Sequence, residues 1–349
     1  INDGILEGIV KQNMGTYCHL KMSNFDASII TKFFEDERLK FSGMIFGELI
    51  IKENNDNLEL DVDITMKRGT YMGENFDEMI ISFLYKDGIL NMDDVSMTRG
   101  GLMGVQATGV VPITNDKSDK FPMLLNSTFT NISLSLINTF LPDIYNINGI
   151  ATGSFNLKGF PDKTKFDYSL NISNSKFDVI DLGDVKINGD YNSEQLHING
   201  FAFNNKKDSL EINGNLPFDF NLNSENFFGY HPGKEFNFRL FSKSSSFYFL
   251  TPYIDDLDSL IGDIELLLTL SGESDNIKKN GNIKIEDGVA YTLLLNDPIK
   301  KINGEGDLVN NILKFDTLIA KAVHSPVGQG LSNKSNLSVD GYIDLSQFF

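Results

Sequence analysis

Leu58, Leu60, Val62, Ile64 and Met66 alternate with Glu59, Asp61, Asp63, Thr65 and Lys67. This strict period of two puts every apolar group on one face of a strand. A helix would scatter the same groups around its circumference. Phe166, Tyr168, Leu170 and Ile172 alternate in the same way with Asp167, Ser169, Asn171 and Ser173. The pattern returns at Phe218, Phe220 and Leu222, and again at Phe236, Phe238 and Leu240. Gly, Asn, Asp and Ser clusters separate the runs, as at 53–57, 86–88 and 204–208, and such residues favour hairpin connections. One-face alternation implies antiparallel sheet with one apolar and one wet face. Typical strand and turn lengths predict roughly 20 strands for the whole chain. Only Ser28–Glu37, Ser133–Phe140 and Phe247–Leu260 read as helical, one to three turns each.

The chain also repeats itself. Gly4, Gly109, Gly214 and Gly341 each open a strand-like phrase, at spacings of 109 − 4 = 105, 214 − 109 = 105 and 341 − 214 = 127. Gly43, Gly149 and Gly262 follow the short helical stretches, 39, 40 and 48 residues after the module starts. A third landmark sits 26 residues further on, at Gly69, Ser175 and Gly288. The expected organisation is one continuous array of modules 4–108, 109–213 and 214–340, with 341–349 starting another. The longer third module is expected to carry its extra residues in a Gly/Ser/Asn-rich loop around Ala320–Ser335. The nine glycines are read as structural turn positions. Neither end has the look of a cap that would blunt a repeat array, so the chain reads as an internal stretch of a longer protein.

Composition narrows the function. Thirty Lys+Arg against 48 Asp+Glu give a net charge of −18, which repels phosphate backbones and argues against nucleic acid as a partner. The single cysteine, Cys18, excludes an intrachain disulfide framework. Cys18 and His19 are neighbours on a strand-like stretch, so their side chains point to opposite faces and form no thiolate–imidazole dyad. His19, His197, His231 and His324 lack ligand spacing, and no metal site is expected. Asp93-Asp94 and Asp255-Asp256 read as turn or flanking acids. Residues 99–104 faintly suggest a phosphate loop, but no helix follows, and a bulge or tight hairpin is the expectation. No enzymatic constellation and no cofactor are expected. The apolar stretches are far shorter than the ~20 residues of a spanning helix.

One phrase carries a family resemblance. It runs from Ser135–Phe140 through Leu141-Pro142-Asp143-Ile144-Tyr145 to the glycine-marked strands at Asn148-Gly149-Ile150 and Thr152-Gly153-Ser154. Phe41-Ser42-Gly43 through Gly47-Glu48-Leu49 is its first-module counterpart, and the third module departs from it at Leu266. This pattern resembles the AsmA-like superfamily, within it the TamB type. The resemblance implies an all-β fold: a long antiparallel repeat array curled into an open β-groove, with a few short helices. It also implies a periplasmic location in a diderm bacterium. An inner-membrane anchor and an outer-membrane β-barrel partner would be reached through segments outside this chain. The implied role is to carry phospholipid between the two membranes and so support outer-membrane integrity.

On this reading the groove is lined by Leu58, Leu60, Val62, Ile64 and Met66 in the first module. Phe166, Tyr168, Leu170 and Ile172 take the matching place in the second, and Ile283 and Ile285 in the third. Two other readings stay open. One is an assembly or secretion factor for outer-membrane β-barrel proteins or autotransporters, which offers sheet edges to client strands. The other is an extracellular β-solenoid.

Overall fold

A computed structural model describes residues 4–12, 15–32, 41–54, 57–71, 74–113, 117, 120–134, 147–161, 163–177, 180–192, 194–204, 208–220, 228–230, 235–246, 257–273, 276–294, 297–322 and 335–344. They form an all-β protein. The strands are β1 (Ile5–Gln12), β2 (Thr16–Asp26), β3 (Phe41–Asn54), β4 (Asn57–Tyr71), β5 (Glu74–Lys86), β6 (Ile89–Arg99) and β7 (Met103–Pro112). Then come β8 (Met123–Ser133), β9 (Ile147–Phe160), β10 (Lys163–Phe177), β11 (Ile180–Asn192), β12 (Gln195–Asn204), β13 (Asp208–Phe220) and β14 (Phe228–Tyr230). The last six are β15 (Glu235–Ser246), β16 (Leu257–Glu273), β17 (Asn276–Thr292), β18 (Ile299–Val309), β19 (Ile312–Ala322) and β20 (Ser335–Asp344). One short helix, α1 (Ser28–Thr31), lies between β2 and β3.

The fold divides into two compact units. The first contains Ile1–Leu136, Ile150–Leu170 and Phe220–Phe227. Here each strand from β1 to β9 pairs antiparallel with the next, a pure meander. The second contains Ile137–Gly149, Asn171–Asp219 and Phe228–Phe349. Its ladder runs β11, β12, β13, then β15 through β20, again antiparallel throughout. Among the described residues no register closes either ladder on itself, so the sheets are open and no barrel forms.

The helical expectation is corrected at the end of its third stretch. Leu257–Leu260 open strand β16, where Leu257 pairs with Thr292 and Leu260 with Ala290. Both leucines pack against the cluster of Ile264, Ile285, Ala290, Ile302 and Ala320, so pairing with β17 outweighs local helix preference. Ser133 is the last residue of β8. Leu134, next in that stretch, takes a 3-10 turn as expected of a helical segment, and the remaining 135–140 and 247–256 lie outside the described residues. Of Ser28–Glu37, Ser28–Thr31 are helical and Lys32 is in a turn, while 33–37 lie outside the described residues. Ala320 and Ser335, the ends of the loop expected in the third module, belong to β19 and β20, and 323–334 lies outside the described residues.

The landmark glycines sit inside strands, not in hairpin turns. Only Gly4 lies outside a strand, just before β1. A physical reason appears where the two landmark series meet. A Cβ on Gly43 would lie 3.2 Å from Gly69 Cα, one on Gly149 3.2 Å from Ser175 Cα, and one on Gly262 2.8 Å from Gly288 Cα. The landmarks 26 residues apart are thus cross-strand neighbours on β3 and β4, β9 and β10, and β16 and β17. The residue before each second landmark is left-handed: Arg68 at φ 52°, Asn174 at 51° and Asp287 at 49°. Registers slip beside the first and third pairs, between Ser42 and Met44 and between Ile261 and Asp263. This is a recurrent β-bulge, which bends the strand and sharpens its twist.

The first unit's core lies beside its bulge. Met22, Ile45, Met66 and Phe76 are almost wholly buried there, and Ala27, at the entrance of α1, is completely so. Asp26 shapes that entrance: its Oδ1 accepts a 2.9 Å hydrogen bond from the Ser28 backbone N–H. That bond, first among the causes, holds the Asp26 carboxyl below its usual pKa. Asp26→Ala should lower stability by about 1 kcal/mol, the typical worth of such a cap. A shift of the urea midpoint at unchanged slope would register it.

Candidate functional site

The candidate site is an extended apolar face. In the first unit, Leu20, Leu49, Val62, Phe83 and Met92 stand opposite one another in direct register across β2 to β6. The next row is Met22, Gly47, Ile64, Ile81 and Val95. Cys18, Ile51, Leu60, Tyr85 and Leu90 form a third. Next to the bulge, Ile45, Met66, Met79 and Met97 make a fourth. Leu60, Val62, Ile64 and Met66 therefore sit at the centre of four parallel rows on one face. Leu58 is different. It stands opposite Glu53 at the hairpin end and is 39% exposed, so it marks the rim of the face.

This face is not a filled interior. Val62 and Met66 are buried, but Leu60, Ile64, Ile81, Phe83, Tyr85 and Leu90 are only half-buried. Ordinary core residues of a sandwich would be covered by a second sheet. Here a wide apolar strip keeps partial access to solvent, the condition under which exposed apolar surface signals binding.

The opposite face has the complementary chemistry. Glu48, Asp63, Ser82 and Asp94 form one of its rows. Glu48 lies 2.7 Å from His19 Nε2 and accepts from Lys21 Nζ at 3.0 Å. Lys21 chiefly, with His19 second, holds the Glu48 carboxyl below its usual pKa. Glu59 bridges Lys52 at 2.5 Å and Lys86 at 3.0 Å, and those two ammonium groups lower its pKa likewise. Such exposed pairs add little stability each, but they keep this side wet. His19 and Cys18 thus belong to opposite faces, and His19's partner is a carboxylate.

Phe166, Tyr168 and Leu170 continue the first unit's apolar surface on β10. Phe166 is buried and packs against Phe155 at 5.1 Å and Tyr168 at 6.3 Å, ring centroid to centroid. Phe220, also part of this unit, sets its ring edge-on to Phe166 at 5.3 Å. Ile172, in the second unit, is half-buried beside Gly149. Ile283 and Ile285 lie in the second unit's apolar face, opposite Leu266 and Ile264 on β16. On β18 they face Gly306 and Gly304. Gly306 leaves room for the Phe315 ring, whose Cδ1 a Cβ there would approach to 2.9 Å.

Sequence reasoning missed the β5 contribution of Met79, Ile81, Phe83 and Tyr85. Ile80 and Leu84 on the other face leave Ser82 as the one polar residue from Met79 to Tyr85 and hide the period of that stretch. The usable signal was register: a short turn at Asp87-Gly88 fixes which β5 residues join the β6 rows. Residues 99–104 form the hairpin turn expected of them, with Leu102 N–H donating to Arg99 O at 3.2 Å. Among the described residues, no group of three or more His, Cys, Asp or Glu is placed to hold a metal ion. No described helix is long and apolar enough to cross a membrane.

Fold and site together define a class: an all-β antiparallel repeat protein whose open sheets are apolar on one face and charged on the other. Compared with known proteins, the chain matches no family model, no curated protein and no solved structure.

Proposed function

We propose that this protein is a non-enzymatic periplasmic bridge component that carries phospholipid acyl chains along its apolar β-face between the inner and outer membranes. It thereby supports outer-membrane integrity. The observation that carries the reading is the set of in-register apolar rows through Leu60, Val62 and Ile64, half-open to solvent and backed by an ion-paired face. Exposing an acyl chain to water costs about 0.8 kcal/mol per methylene, hence about 12 kcal/mol for sixteen carbons. An open apolar strip removes most of that cost and lets the headgroup stay in solvent. Such a site needs no polar constellation to select a headgroup. The resemblance to the TamB type supplies the membranes and the anchoring segments of this reading.

The test is native mass spectrometry with lipid extraction on the chain purified from a bacterial periplasm. Co-purifying phospholipid is the expected result. A lipid-free, monodisperse and stable protein would overturn the proposal.

A further inference from the structure

Strand β1 carries a feature that neither face of the sheet explains. Among the described residues it pairs on one side only, with β2, and its other side presents a free row of backbone N–H and C=O groups. Its residues pair with β2 from Ile5 to Gln12 without a slip, so the edge has no bulge. It holds no proline, and its one lysine, Lys11, stands next to its end. Ile5, Leu6, Ile9 and Val10 are each between 50% and 68% exposed. Leu6 and Val10 extend the apolar rows of Met22 and Cys18, while Ile5 and Ile9 stand on the charged face, opposite Ser23 and His19. A bulge-free edge that is apolar on both faces is a template for strand addition.

The repeat shows that this type of strand is built for two neighbours. Gly4 precedes β1, and the corresponding landmarks Gly109 and Gly214 lie on β7 and β13. β7 pairs with both β6 and β8, and β13 with both β12 and β15.

The residue order of β1 supplies its own complement. Glu7 and Lys11 lie equally far to either side of Ile9. When a second β1 pairs antiparallel about a two-fold axis through Ile9, Glu7 stands directly opposite the partner's Lys11, and Lys11 opposite the partner's Glu7. Opposite charges placed so are a favourable cross-strand pair. An axis through Glu7 would set two carboxylates together, and one through Lys11 two ammonium groups. An axis through Gly8 or Val10 would leave Lys11 facing an isoleucine. Only Ile9 matches both charges. In a chain of net charge −18, β1 itself is neutral, so like-charge repulsion does not oppose contact along this edge. A two-fold axis normal to the sheet also keeps each face on its own side, so the apolar rows run on into the second copy.

We infer that two copies of this chain join through β1, antiparallel about Ile9, into one continuous sheet. The junction is independent of what the apolar face carries.

Sedimentation velocity of the full chain across a dilution series tests it. Wild type should be a reversible dimer. Lys11→Glu sets like charges at both pairs and should raise the dimer Kd at least tenfold, with far-UV circular dichroism unchanged. Glu7→Lys should do the same, and Glu7→Lys combined with Lys11→Glu should bring Kd back to within threefold of wild type. Glu7 also stands opposite Lys21 on β2, whereas Lys11 stands opposite Tyr17, so Lys11→Glu decides the matter if Glu7→Lys loosens the hairpin. A wild type that is monomeric throughout the series overturns the inference. So does a dimer whose Kd Lys11→Glu shifts less than threefold, which would place the contact elsewhere. A folded double variant that binds no tighter than Lys11→Glu alone overturns it as well.

Discussion

Phospholipid recovered with a Leu170→Asp variant should fall at least about tenfold below wild type, while the variant keeps its β content and most of its stability. A tenfold loss corresponds to about 1.4 kcal/mol, well within the cost of setting a carboxylate against an acyl chain. Leu170 lies on the half-buried part of β10. In the lipid-free protein a carboxylate there keeps its water, so folding is largely spared. A passing acyl chain would strip that water away, so binding is not. Val62→Asp makes the contrast. Val62 is 7% exposed between Leu49 and Phe83, and a charge there is desolvated by the protein itself. It should cost several kcal/mol of stability in addition to the lipid. Lipid extraction and urea denaturation on the same preparations separate the two losses. Equal loss of stability and lipid at Leu170 would mark the face as plain core.

Gly69→Ala should destabilise the chain by about 3 kcal/mol, the upper range for a single steric substitution. A Cβ there would overlap both the Ser42 carbonyl oxygen and the Phe76 ring, and Phe76 is 2% exposed in the first unit's core. The Ser42 oxygen belongs to the backbone of the neighbouring strand, so it moves only by opening the bulge. Gly341→Ala is the control from the same glycine series. A Cβ on Gly341 meets nothing within 4 Å, and its substitution should be close to neutral. Matched effects of the two substitutions in chemical denaturation would refute the bulge as a point of close strand approach.

Alternation at 58–67 and 166–173 made the strands legible because a residue's face on a strand depends only on the parity of its position. Leu60, Val62, Ile64 and Met66 could therefore be assigned to one side before any partner strand was known. The Asp87-Gly88 turn was legible for a similar local reason, since positive φ is cheap there; Asp87 stands at 51° and Gly88 at 78°. The landmark glycines were legible as a series but not in their role. Nothing local in Gly43 or Gly69 distinguishes a turn from a bulge. Their meaning lies in facing each other across β3 and β4. The β5 stretch from Met79 to Tyr85 was opaque because both its faces carry apolar groups. Leu257–Leu260 was misread because its pairing with β17 is tertiary information.

Two properties follow from the amino-acid order alone: antiparallel β throughout, and a separation of apolar from charged groups between two faces. Both rest on the period of a strand, which is built into backbone geometry. Tertiary structure decided which rows align, where the bulges bend the strands, and how much of the apolar face stays open. It also brought Phe201 and Phe241, forty residues apart, into one row on the charged side. Register is a relation between strands, and it is set by hairpin lengths and bulges acting together. No single segment contains it, so it emerges only when neighbouring strands pair.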